Sequence, residues 1–189
     1  HIDRDAIFEV NGQPTKVLRL IGTPDKICNS KEEQGRLTKR AYELYLGEVK
    51  FVDYVLGKLI NYLKKAGLWD NTVFIFTADH GEEFYEHGNF NHCKTVYEEV
   101  LRVPLIVRIP QIEPERIYTR VRTMDIVPTI MDLAGVRYNP DELQARSLLP
   151  IINGDEFEDR IVFAESENKG KSKRRLTRGL ILGDYKIIC

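Results

Sequence analysis

Three of the four histidines in this chain fall inside residues 77–92, TADHGEEFYEHGNFNH. The stretch begins where an apolar run, VFIF at 73–76, stops. Asp79 and His80 leave that run side by side. A carboxylate and an imidazole at adjacent positions cannot share one face of a regular strand. Past a strand end the backbone bends, and both can reach one ion. A hard or borderline divalent cation accepts such a pair. The competing reading is that Asp79 caps the following segment while His80 packs. Gly81 is expected to let the chain turn sharply behind the pair.

The neighbours carry weaker signals. His87 and His92 lie five residues apart, not at the i, i+4 spacing of a helical zinc motif, and no HExxH occurs. Each reads as a ligand or as a surface or packed imidazole. Lys94 is a candidate anion contact or a surface charge, and Arg102 a candidate site residue. Tyr97 and Glu98 are expected to position the loop. Glu82, Glu83 and Glu86 are either partners for the ligands or a solvated acidic edge. Cys93 adjoins His92, but nothing nearby reads as its general base, so it reads as an ordinary thiol.

Several elements must hold these residues. From about Glu32 to Ala66 apolar residues recur at spacings of three and four: Leu37, Ala41, Leu44, Tyr45, Val49, Val52, Leu56, Leu59 and Leu63. That spacing predicts a long amphipathic helix. Gly47 and Gly57 suggest close packing or a break within it, and Gly67 its end. Residues 72–77 predict a buried strand and residues 103–108 a second, with Pro104 near its start. Residues 125–135 predict a compact helix, with Asp125 as N-cap, Pro128 in the first turn and Gly135 as the stop. Residues 161–164, 179–182 and 185–188 predict short strands, the last two joined by a hairpin at Gly183–Asp184. Residues 1–31 read as irregular, with turn formers at Asn11–Gly12 and Thr23–Pro24. The order of elements indicates an α/β layered domain with an antiparallel addition at the C-terminus.

Composition narrows the partners. The 189 residues are 42% hydrophobic and 30% charged, as in an ordinary globular domain. A net charge of -1 gives no electrostatic case for nucleic acid or an anionic membrane. The basic run KGKSKRR at 169–175 reads as a solvated loop, or as a loop facing an anionic substrate. No apolar run approaches the roughly 20 residues of a membrane span. Three scattered cysteines, Cys28, Cys93 and Cys189, fit no disulfide framework. They mildly favour a reducing, cytoplasmic compartment, while an export signal would precede His1.

The segment TADHGEEFYEHGNFNHCKTVYEEVLRVPLIVR resembles the signature of sulfatases in the alkaline phosphatase superfamily. MDIVPTIMDLAGV is similar to a helix that follows in that family. GEVKFVDYVLGKLINYLKKAGLWDNTVFIF is similar to its helix-to-strand approach, and RGLILGDYKII to its late hairpin. The matches keep the family's order from about Tyr42 to Ile188. The resemblance implies an alkaline-phosphatase-like layered sheet flanked by helices, with a small C-terminal antiparallel sheet. Residues 1–150 would be the C-terminal part of the α/β domain, and 151–189 the start of the antiparallel subdomain. It implies a divalent metal, Ca2+ first and Mn2+ or Zn2+ as alternatives, held partly by Asp79 and His80. It places His92, or Lys94 beside it, at a basic contact to the sulfate group, and a small sulfated or phosphorylated substrate at the site.

One departure from the family pattern matters. The nucleophile of sulfatases is a formylglycine made within C/S-x-P-S-R, and this chain has no such motif. No strand-Asp-Asp segment appears in residues 1–31 either. The expectation is a C-terminal portion of a hydrolase, inactive alone. The alternatives are a phosphodiesterase, phosphonate monoester hydrolase or phosphoethanolamine transferase of the same superfamily, or a non-catalytic sulfatase-like binding module.

Overall fold

Ser30 opens the first long element. Its Oγ accepts the Glu33 N–H at 3.1 Å and caps helix α1, Lys31–Lys65. Glu32 and Glu33 in the first turn, and Lys64 and Lys65 in the last, complement the helix dipole. Gly67, at φ 69°, ends the helix: its N–H donates to Lys64 O at 3.1 Å, and the Leu68 N–H to Leu63 O at 2.9 Å. The break or close packing expected at Gly47 and Gly57 is not found. The helix runs through both, and the space beside each is open within 4 Å. Each glycine costs about 1 kcal/mol against alanine, which a cooperative 35-residue helix absorbs. No residue of α1 is fully buried, and Tyr45, Val49, Val52 and Leu59 are exposed.

The computed structural model describes residues 7–10, 13–16, 30–92, 94–155, 158–169 and 174–189. The chain divides into two units, residues 1–112 and 113–189. The first unit begins with strands β1, Ile7–Val10, and β2, Gln13–Lys16, paired antiparallel with Val10 opposite Gln13. Over residues 7–10 and 13–16 the irregular reading is wrong, and the rest of residues 1–29, with the turn former Thr23–Pro24, lies outside the described residues. Asn11–Gly12, between the two strands in sequence, lies outside the described residues, but that dipeptide is a strong hairpin signal. The alternation in IFEV was too short to register as a strand.

After α1 comes a short turn at Trp69–Asn71 and then strand β3, Phe74–Thr77. β3 pairs antiparallel with β6, Leu105–Arg108, with Phe76 opposite Ile106. Both strands stand where their apolar runs predict, and Pro104 immediately precedes the second. Arg108 ties the end of β6 to the turn: its guanidinium donates to Thr72 O at 2.8 Å and lies 4.2 Å from the Trp69 ring centroid. β3 was expected to be buried, yet Phe74, Ile75, Phe76 and Thr77 are half-buried. Among the described residues β6 is its only ladder neighbour, so its other edge has no paired strand there to cover it. Between the two strands lie β4, Glu83–Phe84, β5, Phe90–Asn91, and a one-turn helix α2, Glu98–Leu101. Phe90, Val96 and Val100 form the buried apolar centre of this region.

The second unit is built around Asp125. A turn at Thr123–Asp125 leads into helix α3, Ile126–Leu133. Gly135, at φ 66°, closes it, with the Val136 N–H donating to Met131 O at 2.9 Å. Pro128 sits in the first turn and is buried. Asp125 holds the N-cap position but makes no side-chain bond to the helix. Its fully buried carboxylate is taken by arginines instead. Oδ2 accepts from Arg160 Nη2 at 2.5 Å and from the Arg122 N–H at 3.0 Å. Oδ1 accepts from the Arg146 N–H at 2.9 Å and from Arg122 Nη2 at 3.2 Å. Arg160 Nη1 adds a fifth bond, to Oδ1 at 3.3 Å, and a charge with five such donors outcompetes one local cap. Thr129 continues the network, donating to Asp125 O at 2.6 Å and accepting the Leu148 N–H at 2.8 Å.

Helix α4, Leu149–Ile152, is followed by a three-stranded antiparallel sheet in sequential order: β7, Val162–Lys169, β8, Arg174–Leu182, and β9, Tyr185–Ile188. The expected hairpin at Gly183–Asp184 joins β8 to β9, with Leu182 opposite Tyr185. Part of the basic run at 169–175, together with Cys28 and Cys93, lies outside the described residues. Cys189 is a free, exposed thiol. No helix among the described residues is long and apolar enough to cross a membrane.

Candidate metal and anion site

β3 ends at Thr77, and the chain bends through Asp79, His80 and Gly81 before starting the β4–β5 hairpin. Asp79 Oδ1 accepts the N–H of His80 at 2.9 Å, so the local-cap reading describes one of its two oxygens. The other, Oδ2, lies 3.7 Å from His80 Nε2 and is open to solvent. His80 Nδ1 is 2.8 Å from the Gly81 carbonyl oxygen, which can only accept. Nδ1 therefore carries the proton, and a neutral ring keeps its lone pair on Nε2, the atom facing Asp79. Two ligands of one divalent ion at about 2.1–2.5 Å each stand roughly 3–4 Å apart. The pair fits as two members of a cation's ligand set. Among the described residues no third His, Cys, Asp or Glu completes a cage.

Gly81 is needed for a different reason from the one its sequence context predicts. Its φ is not in the left-handed region. A Cβ built there would lie 2.0 Å from Glu99 O and 3.4 Å from Val100 Cα. The Gly81 N–H donates to Val100 O at 2.7 Å. Backbone pressed against backbone leaves no room for any other residue.

His92 reaches the same place from the far arm of the hairpin. Its ring stacks on that of His80, with centroids 3.8 Å apart and planes at 31°. Its Nδ1 lies 3.1 Å from Glu82 Oε2. The Asn91 Oδ1 accepts the His92 N–H at 3.0 Å while Asn91 itself is left-handed at φ 77°, a conformation asparagine tolerates. Lys94 follows, with Nζ 3.4 Å from Phe90 O. His87 is elsewhere. It stacks on Tyr97 at 3.7 Å and lies 3.3 Å from Glu99 Oε2. Arg102 is exposed, just past α2.

The acidic residues divide. Glu86 is exposed, and its Oε2 accepts the Phe84 N–H at 2.5 Å. Glu83 is fully buried, and its Oε2 accepts Thr95 Oγ1 at 2.8 Å. The solvated-edge reading is wrong for Glu82 and Glu83. Alternation across the hairpin turns Glu83 inward, a signal that the two-residue strands hid. Phe84 anchors the hairpin to α1: its ring centroid is 5.4 Å from that of Tyr42, 5.1 Å from Tyr45 and 6.3 Å from Phe90.

Comparison with known proteins bears on what such a site does. The family model described as Sulfatase matches residues 19–136. The model described as N-sulphoglucosamine sulphohydrolase, C-terminal, matches residues 85–189. N-acetylglucosamine-6-O-sulfatase of Bacteroides thetaiotaomicron is 39% identical over 113 residues, covering 59% of this chain and 20% of that protein. Arylsulfatase K of Xenopus laevis is 36% identical over 115 residues, covering 60% of the chain and 21% of its own length. Among solved structures, the phosphonate monoester hydrolase of Silicibacter pomeroyi matches 88% of this chain and 35% of its own. Its TM-score is 0.72 at 27% identity. A protein solved in complex with its substrate D-glucosamine-2-N,6-O-disulfate matches 90% of this chain and 36% of its own, with TM-score 0.65 and 26% identity. The chain spans about a fifth of the length of these curated relatives.

Proposed function

The chain belongs to the sulfatase family, and on that footing we propose that the polypeptide carrying it hydrolyses sulfate esters at a divalent-metal site to which Asp79 and His80 contribute. The observation that carries this reading is the 3.7 Å approach of His80 Nε2 to Asp79 Oδ2, with the His80 tautomer fixed by the Gly81 carbonyl. Calcium is the first candidate, with manganese and zinc as alternatives. Such an ion supplies Lewis acidity toward sulfuryl oxygens. Residues 1–189 contain no C/S-x-P-S-R, so the formylglycine nucleophile that this reading requires is not among them.

The chain's own residues orient and bind. His92 and Lys94, on the far arm of the hairpin, give the sulfuryl group cationic or hydrogen-bonding contacts that strengthen as negative charge grows there. The substrate class favoured is a sulfated amino sugar. The relative named N-acetylglucosamine-6-O-sulfatase and the similar structure holding D-glucosamine-2-N,6-O-disulfate support it. Phosphonate monoester hydrolysis is the second reading, supported by the Silicibacter enzyme's likeness over 88% of this chain.

The test compares the complete polypeptide with the 189-residue chain on a 6-O-sulfated glucosamine, an aryl sulfate and a phosphonate monoester. The complete polypeptide should prefer a sulfate ester and contain one equivalent of calcium by elemental analysis. Asp79→Ala should lower both metal content and turnover, the latter by about 100-fold or more. The 189-residue chain alone should give no turnover. Activity in that chain, abolished by Asp79→Ala, would overturn the division of the site. A preference for the phosphonate would favour the second reading.

A further inference from the structure

We infer that Glu82 is a positioning residue for His92: its carboxylate accepts the Nδ1–H of His92 and so fixes both the plane and the tautomer of that ring. The inference rests on the sulfate-ester reading only for the purpose the ring serves. The pairing follows from the hairpin's register. Glu83 stands opposite Asn91 and Phe84 opposite Phe90, so the next step outward brings Glu82 opposite His92. The observed Oε2–Nδ1 distance of 3.1 Å is what that register delivers.

Three further observations favour a role over coincidence. Glu82 is well covered, at 21% side-chain exposure, and its Oε1 is buried with no hydrogen-bond partner among the described residues. A carboxylate desolvated on one oxygen is costly to hold, and among the described residues its one side-chain partner is the imidazole. The His80 ring stacks on His92 at 3.8 Å, so one face of the imidazole is closed and the carboxylate fixes its rotation. The hairpin that sets the register is itself held on α1 through Phe84. A carboxylate bonded to Nδ1–H leaves Nε2 as the atom free to meet a substrate oxygen or its proton. That is how carboxylates orient functional histidines generally.

The experiment uses the complete polypeptide with 15N-labelled histidine. The ring shifts of His92, measured where the imidazole is neutral, should report Nδ1–H and an unprotonated Nε2. In Glu82→Leu the ring should relax to the Nε2–H tautomer that a free histidine side chain prefers. For sulfate-ester hydrolysis, Glu82→Leu should lose about 10–100-fold in kcat/KM, and Glu82→Asp, which keeps an acceptor, should recover part of that loss. An Nε2–H tautomer in the unsubstituted protein would refute the assignment. So would a tautomer and kcat/KM both unchanged in Glu82→Leu. Absence of sulfate-ester turnover in the unsubstituted protein would count against the proposed function alone, because the tautomer is read without substrate.

Discussion

At the scale of single residues, the bend behind Asp79 and His80 owes its shape to one close approach, at Gly81, that admits glycine alone. A methyl group there would meet Glu99 O at 2.0 Å, and backbone on both sides prevents escape. Gly81→Ala should therefore destabilise the fold by about 3 kcal/mol or more, through forced separation of the bend from α2. Urea unfolding would measure it. An alanine variant as stable as the parent would mean that the Gly81–Val100 hydrogen bond is not maintained in solution. Nothing in the sequence around Gly81 announces this requirement, because Glu99 is eighteen positions away. Asp79 and His80, by contrast, were legible as a pair. Their types and their place at a strand end are local facts.

Elements were legible to the extent that local chemistry fixes them. α1 announces itself through an apolar period along its span and a glycine just past its end. α3, β3, β6 and the β8–β9 turn follow the same logic. The β4–β5 hairpin did not announce itself, because strands of two residues are too short to show alternation. Its existence depends on Phe84 finding Tyr42 and Tyr45, some forty residues upstream. The β1–β2 hairpin was missed although Asn11–Gly12 marks it. Within α1, Gly47 was expected to have a structural reason, and none is present: its surroundings are open within 4 Å. Gly47→Ala should stabilise the helix by about 0.5–1 kcal/mol, by removing backbone freedom from the unfolded chain. A rise in the thermal midpoint checks this. A fall would reveal close packing at Gly47.

At the scale of the whole molecule, the second unit gathers its elements around one buried charge. Burial alone would raise the Asp125 carboxyl above its ordinary value of 3.8. Hydrogen bonds from the Arg146 N–H, the Arg160 guanidinium, and the Arg122 N–H and guanidinium outweigh burial and hold it lower. Because the folded value is depressed, the stabilisation is fully present above 3.8 and is lost as pH falls through the lower folded value. Acid titration of stability should show this loss, and Asp125→Asn should remove that dependence while costing about 3–5 kcal/mol at neutral pH. An unchanged acid profile in Asp125→Asn would place the titration elsewhere. This network was not readable, since Arg160 lies thirty-five positions from Asp125 and no spacing rule joins them. The seam between Gly81 and Val100 has a practical corollary. Anyone transplanting specificity from a relative should exchange residues 77–101 as one cassette. A graft that swaps the hairpin but keeps a foreign α2 would mismatch two main chains that were shaped against each other.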